Sequence, residues 1–152
     1  MTAVVLTATT PGGTGGSNGS NAQRATVSMS GFTFPNAKLT LLKDGQIATT
    51  LIANPDGTFK IIINNLTYGN YQLSVFAEDE TGLTSSTFTV NVAAFSSVPY
   101  VYDNILLPPT LRSDNLLVQI GTSLNVSGYG PPGATIALQI PGGANLGSAL
   151  TD

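Results

Sequence analysis

Three adjacent carboxylic acids, Glu78, Asp79 and Glu80, form the one acidic run in the sequence and its first candidate for chemistry. Carboxylate oxygens are the ligands that Ca²⁺ prefers in proteins, and Asp56 or Asp103 could join the run at a domain junction. Acidic residues in a loop are also commonly solvated without any ion. The sequence therefore indicates calcium as the candidate cofactor, beside the alternative of a solvated loop, and it indicates no other cofactor.

The composition does not support catalysis by the usual bases and nucleophiles. The chain contains no His and no Cys, so imidazole bases, thiolate nucleophiles and disulfides are excluded. A Ser nucleophile with a Lys base needs a desolvated amine, whereas Lys38, Lys43 and Lys60 fall on strands or at a turn, where an outward direction is expected. We therefore predict that the protein is not an enzyme and has no catalytic residues.

Charged residues are few and scattered along the chain. Five basic and eight acidic residues give a net charge of −3 over 152 residues, and no basic stripe is available to neutralise a nucleic-acid backbone. The longest apolar runs, such as residues 61–63, are far shorter than the roughly 20 residues that a membrane-spanning helix needs. We therefore expect neither a nucleic-acid partner nor a transmembrane segment.

Apolar residues alternate with polar ones from Arg24 onward, and this period of two predicts strands. Turn signals at Asp44-Gly45 and at the sequence NPDG (54–57) separate the alternating segments. Six strands are predicted between residues 24 and 94. Each has one apolar face that needs cover, so the strands should form two packed antiparallel sheets. The expected inward sets are Val27 and Met29; Leu39 and Leu41; Ile47, Thr49 and Leu51; Phe59, Ile61 and Ile63; Tyr71, Leu73, Val75 and Ala77; and Phe88, Val90 and Val92.

An internal similarity defines the expected domains. Residues 27–45 align without gaps with residues 124–142, 97 positions later, and six pairs are identical. The counterpart of Phe59 would lie past Asp152, so the second copy is expected to contain only the first half of a sandwich. The predicted organisation is a strand in 1–10 that ends a preceding domain, a Gly/Ser linker at 11–23, a complete sandwich at 24–95, a linker at 96–103 and a partial second sandwich at 104–152.

Short motifs of turn and core residues are spread along the first predicted sandwich. They contain Ser30, Gly31, Pro35, Leu39, Leu41, Asp44, Gly45, Asp56, Gly57, Phe59, Leu66, Gly69, Tyr71, Ala77, Asp79, Gly82 and Ser85. These motifs resemble the bacterial immunoglobulin-like repeats of large cell-surface and secreted proteins, especially those of ultra-small uncultivated bacteria. The resemblance covers residues 25–140 and includes an LPPT segment at 107–110. It implies an all-β, immunoglobulin-like antiparallel β-sandwich followed by the first half of a second one, located at the cell surface.

Three functions are compatible with these features. The first is an extracellular spacer or adhesin stalk, whose partners are neighbouring immunoglobulin-like domains of the same or identical chains. The second is a filament subunit that forms a homopolymer when the strand around Val4, Val5 and Leu6 inserts into the open sandwich of a neighbour. The third is a carbohydrate-binding module that uses tyrosine side chains.

Overall fold

Strands account for most of the chain that the structure describes. The computed structural model describes residues 3–7, 23–115, 117, 123–139, 142 and 144–152. None of these residues belongs to a helix, so the described part contains no helix that could span a membrane. The strands in chain order are β1 (Ala3–Thr7), β2 (Arg24–Phe32), β3 (Lys38–Lys43), β4 (Gln46–Ile52), β5 (Thr58–Thr67), β6 (Gly69–Glu78), β7 (Phe88–Ala94), β8 (Tyr100–Leu106), β9 (Arg112–Ser113), β10 (Val126–Ser127), β11 (Thr135–Gln139) and β12 (Asn145–Leu150).

Two four-stranded sheets make up the first module, the name used here for residues 24–106 together with β1. The first sheet has the order β1-β5-β2-β8, and the second has the order β4-β3-β6-β7. Strands β2 and β5 pair antiparallel, as do all the neighbours in the second sheet. The structure therefore has the predicted β-sandwich architecture, with antiparallel pairing throughout the second sheet and between β2 and β5 of the first.

The core lies between these two sheets. Its fully buried side chains come from both inner faces, as the alternation predicted. Each one stabilises the fold by about 1.5–3 kcal/mol relative to an exposed position. Side chains with no exposed surface include Val27 and Met29 on β2, Ile61 and Ile63 on β5, Leu39 and Leu41 on β3, and Leu73 and Val75 on β6.

The six strands predicted between residues 24 and 94 are present as β2 to β7, but one predicted inward residue is wrong. Ile47 was expected to share the inner face with Leu51, yet Ile47 is 70% exposed and Leu51 is 7% exposed. The β3–β4 pairing is irregular between Leu41 and Leu42. One extra residue at such a bulge reverses the direction of the side chains beyond it.

The first sandwich ends later in the chain than residue 95, its predicted end, because β8 belongs to its first sheet. Residues 96–103 were expected to form a linker, but β8 pairs in parallel with β2 over Tyr100–Leu106. The chain leaves the second sheet after β7, crosses to the first sheet and runs back along β2. Pro99 and Pro108 lie just outside β8 and remove no hydrogen bond from the ladder.

Strand β1 occupies the opposite edge of the same sheet. Its backbone pairs in parallel with β5, and Val4, Val5 and Leu6 lie beside Ile61, Ile62 and Ile63. A strand in residues 1–10 was predicted, and its assignment to a preceding domain stays a prediction. The predicted Gly/Ser linker 11–23 lies outside the described residues except for its last position.

Four short strands form the second module, the name used here for the described residues of 107–152. Strand β9 pairs antiparallel with β10, and β11 pairs antiparallel with β12. Val118, Ile120 and Ile140, apolar residues of the predicted partial second sandwich, lie outside the described residues. Ile136 and Leu138 of β11 are only half-buried, whereas the aligned Leu39 and Leu41 are fully buried.

The two aligned segments adopt the same local conformation where both are described. Asn36 and its counterpart Gly133 have φ angles of 57° and 70°, and Gly45 and Gly142 have φ angles of 78° and 108°. The Ala37 N–H donates to the Phe34 carbonyl at 3.3 Å, and the Ala134 N–H donates to the Pro131 carbonyl at 3.2 Å. The irregularity after Leu41 recurs after Leu138. Turn and hairpin are therefore repeated 97 residues later.

Substitution of Gly31 by Ala tests whether β8 is part of the first sheet. A Cβ atom at residue 31 would overlap the backbone of Ile105 in β8, so Gly31→Ala should lower the free energy of unfolding by about 1–3 kcal/mol. Urea unfolding measures this change. Ser28→Ala, on the same strand, is the matched control and should change the value by less than about 0.5 kcal/mol. Equal effects of the two substitutions would contradict the placement of β8.

Candidate interface between the two modules

Each module has two ends, which the direction of its strands defines. The upper end of the first module is the end at which β2 stops at Phe32 and β3 starts at Lys38; β2 begins at the lower end. The upper end of the second module is likewise the end at which β10 stops and β11 starts. The acidic run Glu78, Asp79 and Glu80 lies at the upper end of the first module, where Glu78 pairs with Lys38.

The loop after β6 is built around the Asp79 carboxylate. One carboxylate oxygen accepts hydrogen bonds from the Thr81 N–H at 2.9 Å, the Thr81 hydroxyl at 2.7 Å and the Leu83 N–H at 3.0 Å. The Ser85 hydroxyl accepts from the Ala77 N–H at 3.0 Å and closes the base of the loop. A carboxylate that accepts local backbone donors in this way holds a turn in one conformation.

The second oxygen of Asp79 contacts the second module. It accepts a hydrogen bond of 2.9 Å from the hydroxyl of Thr110, a side chain with no exposed surface. Asp79 itself is only 7% exposed. Burial raises the pKa of this carboxyl, but the hydrogen bonds from Thr81, Leu83 and Thr110 outweigh burial, and the pKa lies below its ordinary value of 3.8. The group therefore carries its charge at neutral pH.

Thr110 connects Asp79 to the backbone of Tyr129, the second residue after β10. Its N–H donates to the Tyr129 carbonyl at 3.0 Å, and its hydroxyl oxygen accepts from the Tyr129 N–H at 3.2 Å. The carbonyl oxygen of Thr110 lies where a Cβ atom of Gly128 would be. Only a glycine at position 128 lets the backbone of Thr110 come this close.

The side chain of Tyr129 makes two more contacts with the first module. Its hydroxyl donates to the Glu80 carboxylate at 2.6 Å, and its ring lies 5.7 Å from the ring of Phe34, centroid to centroid, at an angle of 41°. The hydrogen bond to Glu80, together with the negative charge of that carboxylate, raises the pKa of the Tyr129 hydroxyl. Pro132 lies close to position 57, where an added Cβ atom would come within 3.0 Å of the Pro132 ring.

The three carboxylates of the acidic run face three different partners. Glu78 pairs with Lys38 on the neighbouring strand at 3.3 Å, Asp79 holds the loop and Thr110, and Glu80 binds Tyr129. Among the described residues, no three His, Cys, Asp or Glu side chains are grouped so as to hold a metal ion. Calcium binding at Glu78, Asp79 and Glu80 stays a prediction.

Tyr68 and Tyr71 of the first module lie far from Tyr129 of the second module. The Tyr71 hydroxyl donates to the Thr67 carbonyl at 2.8 Å, a local bond at a strand corner, and the Lys43 ammonium lies 4.7 Å from the Tyr71 ring centre. Tyr68 packs edge to face against Phe95 at 6.4 Å. These three aromatic side chains lie at the lower end, away from Tyr129.

Sequence reasoning found Asp79 but missed its partner Thr110. The LPPT segment at 107–110 contains Thr110, but its two prolines indicate only that regular strand pairing ends there. The alternation of strands gives no information on which loop Thr110 contacts.

Acidification tests the contribution of Asp79. A carboxyl whose pKa is lower in the folded protein stabilises the fold fully above its unfolded pKa near 3.8, and this contribution is lost as the pH falls through the lower folded value. Asp79→Asn should therefore unfold more easily at neutral pH, by about 1–3 kcal/mol, and lose stability less steeply below pH 3.8 than the wild type. Urea unfolding across this pH range measures both effects. Parallel curves for the two proteins would contradict the role assigned to Asp79.

Comparison with known protein families agrees with this architecture. Residues 18–94, just over half of the chain, match the bacterial Ig domain family. No curated protein and no solved structure shows significant similarity to the chain. The matched segment includes the strands β2 to β7 and the loop held by Asp79. The chain is a member of the bacterial Ig domain family.

Proposed function

We propose that this chain is a structural spacer of a repetitive bacterial surface protein, located outside the cell and without catalytic activity. Members of the bacterial Ig domain family typically occur in surface and extracellular proteins, and this chain matches the family over residues 18–94. In this function the module works by its shape and stiffness, and it holds other parts of the protein away from the cell surface.

One observation carries the proposal: the acidic residues of the family motifs are engaged in holding turns. Asp44, in the β3–β4 turn, accepts a hydrogen bond from the Gln72 N–H of the neighbouring strand β6 at 2.9 Å, and Asp56 accepts one from the Thr58 N–H of its own turn at 2.9 Å. Asp79 holds its loop in the same manner. Side chains that stabilise their own backbone support a structural role, because their acceptor oxygens are directed at the chain itself.

The repeated hairpin supports a tandem arrangement of modules. The matching turns at Asn36 and Gly133 and at Gly45 and Gly142 indicate a second domain of the same kind. Its inner face is open, since Ile136 and Leu138 are only half-buried. We infer that strands equivalent to β5 and β6 of the first module cover this face, and that neighbouring immunoglobulin-like domains are the partners of the chain.

A second candidate function is a filament subunit that assembles by strand donation. A groove of about 410 Å³ opens in the second module, and Leu124, Val126, Ile136 and Leu138 contribute to its lining. An extended apolar segment from a neighbouring chain would fit such a groove. The segment around Val4, Val5 and Leu6 is the candidate donor, since β1 already pairs with an edge strand through its backbone. A carbohydrate-binding role, the third candidate, has no aromatic platform in its favour among the described tyrosines.

Surface labelling tests the spacer function. Antibodies raised against the 152-residue chain should label intact cells of the source organism in immunogold electron microscopy, and treatment of the cells with protease should remove the label. An antibody against a cytoplasmic protein is the control for cell integrity. Label that appears only after the cells are opened would overturn the extracellular location.

Deletion of residues 1–10 separates the spacer from the filament subunit. Sedimentation of the full chain at increasing concentration should show one monomeric species if the protein is a spacer, with no change after the deletion. Growing polymers that disappear after the deletion would favour strand donation and contradict the spacer.

A further inference from the structure

The path of β8 brings the chain back to the end from which β2 leaves. Strand β7 ends at the lower end of the first module, where Ala94 pairs with Gly69. Strand β8 then runs upward in parallel with β2, from Tyr100 beside Val27 to Leu106 beside Phe32. The chain therefore enters the second module at the upper end of the first.

The second module also receives the chain at its upper end. Strand β9 runs antiparallel to β10, with Arg112 beside Ser127 and Ser113 beside Val126. The segment before β9 accordingly lies next to Tyr129, where β10 has ended. Residues 100–113 thus form one connecting segment that ends the first sheet, passes Pro108 and Pro109, and begins the second module.

Every contact described at the interface joins these two upper ends. Phe34 lies in the loop between β2 and β3, and Tyr129 lies in the aligned loop between β10 and β11. Pro132, next to position 57, is the counterpart of Pro35 in the 97-residue alignment. The same loop of both modules therefore contributes to one interface.

We propose that the two modules are joined head to head, upper end against upper end, in one fixed orientation, and that Thr110 is the residue that fixes it. A head-to-tail array would instead connect the lower end of one domain to the upper end of the next. The direction of the strands reverses between the first and the second module. The role of this reversal in a surface stalk rests on the proposed function. The orientation of the two modules itself is independent of that function.

The interface is suited to hold one orientation because its polar groups are paired and partly buried. The Thr110 side chain is fully buried, and it joins the charged Asp79 to the backbone of Tyr129. Hydrogen bonds to a charged, desolvated group are stronger than those between neutral groups. The Phe34–Tyr129 ring pair and the Tyr129–Glu80 hydrogen bond add contacts on either side. Rotation of one module against the other would break all of them together.

Distances between spin labels test the orientation in solution. The chain contains no native Cys, so two cysteines can be introduced at exposed positions without further changes. Asn70 and Thr87 mark the lower and the upper end of the first module; Thr135 and Ala144 mark the upper and the lower end of the second. Pulsed electron resonance on the four pairs that combine one position from each module gives four distance distributions.

Head-to-head joining gives a specific order of distances. Thr87–Thr135 should be the shortest and Asn70–Ala144 the longest, beyond the roughly 33 Å length of a ten-residue strand. A head-to-tail pair would make Asn70–Thr135 the shortest and Thr87–Ala144 the longest. Either that order, or four broad and overlapping distributions, would overturn the proposal.

Substitution of Thr110 tests the residue that fixes the orientation. Thr110→Val keeps the shape but removes the hydroxyl, so the Asn70–Ala144 distribution should become at least twofold broader than in the wild type. Thr110→Ser keeps the hydroxyl and should leave the width unchanged. Circular dichroism checks that both variants are folded. Equal widths for Val and Ser would remove Thr110 from the proposal, and the result of surface labelling has no influence on either outcome.

Discussion

The close approach of β8 to β2 at Gly31 is the constraint on which the arrangement of this protein depends. A side chain at residue 31 would overlap the backbone of Ile105, so β8 can complete the first sheet only beside a glycine. The Leu107 N–H continues the contact with a hydrogen bond of 3.0 Å to the Phe32 carbonyl. Because β8 lies there, the chain returns to the upper end before it enters the second module.

A second glycine, Gly128, has the same function on the other side of the interface. It is the counterpart of Gly31 in the 97-residue alignment, and the carbonyl of Thr110 occupies the space of its missing side chain. The Thr110 N–H donates to the Tyr129 carbonyl at 3.0 Å, as Leu107 does to Phe32. Both modules thus place a neighbouring backbone against a glycine at the equivalent position, a parallel strand in the first module and an antiparallel one in the second.

The sequence predicted the local structure well, because local rules determine it. Alternation placed the inner faces of β2, β5 and β6, and the turn residues placed the hairpins. Ile47 was misplaced because a bulge changes the register by one residue, and no residue in that strand signals it. The place of β8 was missed because pairing with β2 depends on which edge is open in the folded sheet. Thr110 was missed for the same reason: its partner Asp79 is distant in sequence.

The parallel pairing of β2 and β8 determines how the first module bears mechanical load. Once β1 has separated from β5, a pull on the N-terminal side acts at Arg24 in the downward direction, and a pull transmitted through the second module acts beyond Leu106 in the upward direction. Parallel neighbours loaded in this way slide along their common axis. The hydrogen bonds that join β8 to β2, from Val27 to Phe32, must therefore fail together and not one after another. The return of the chain along β2 therefore places a shear-resistant ladder in the path of the force.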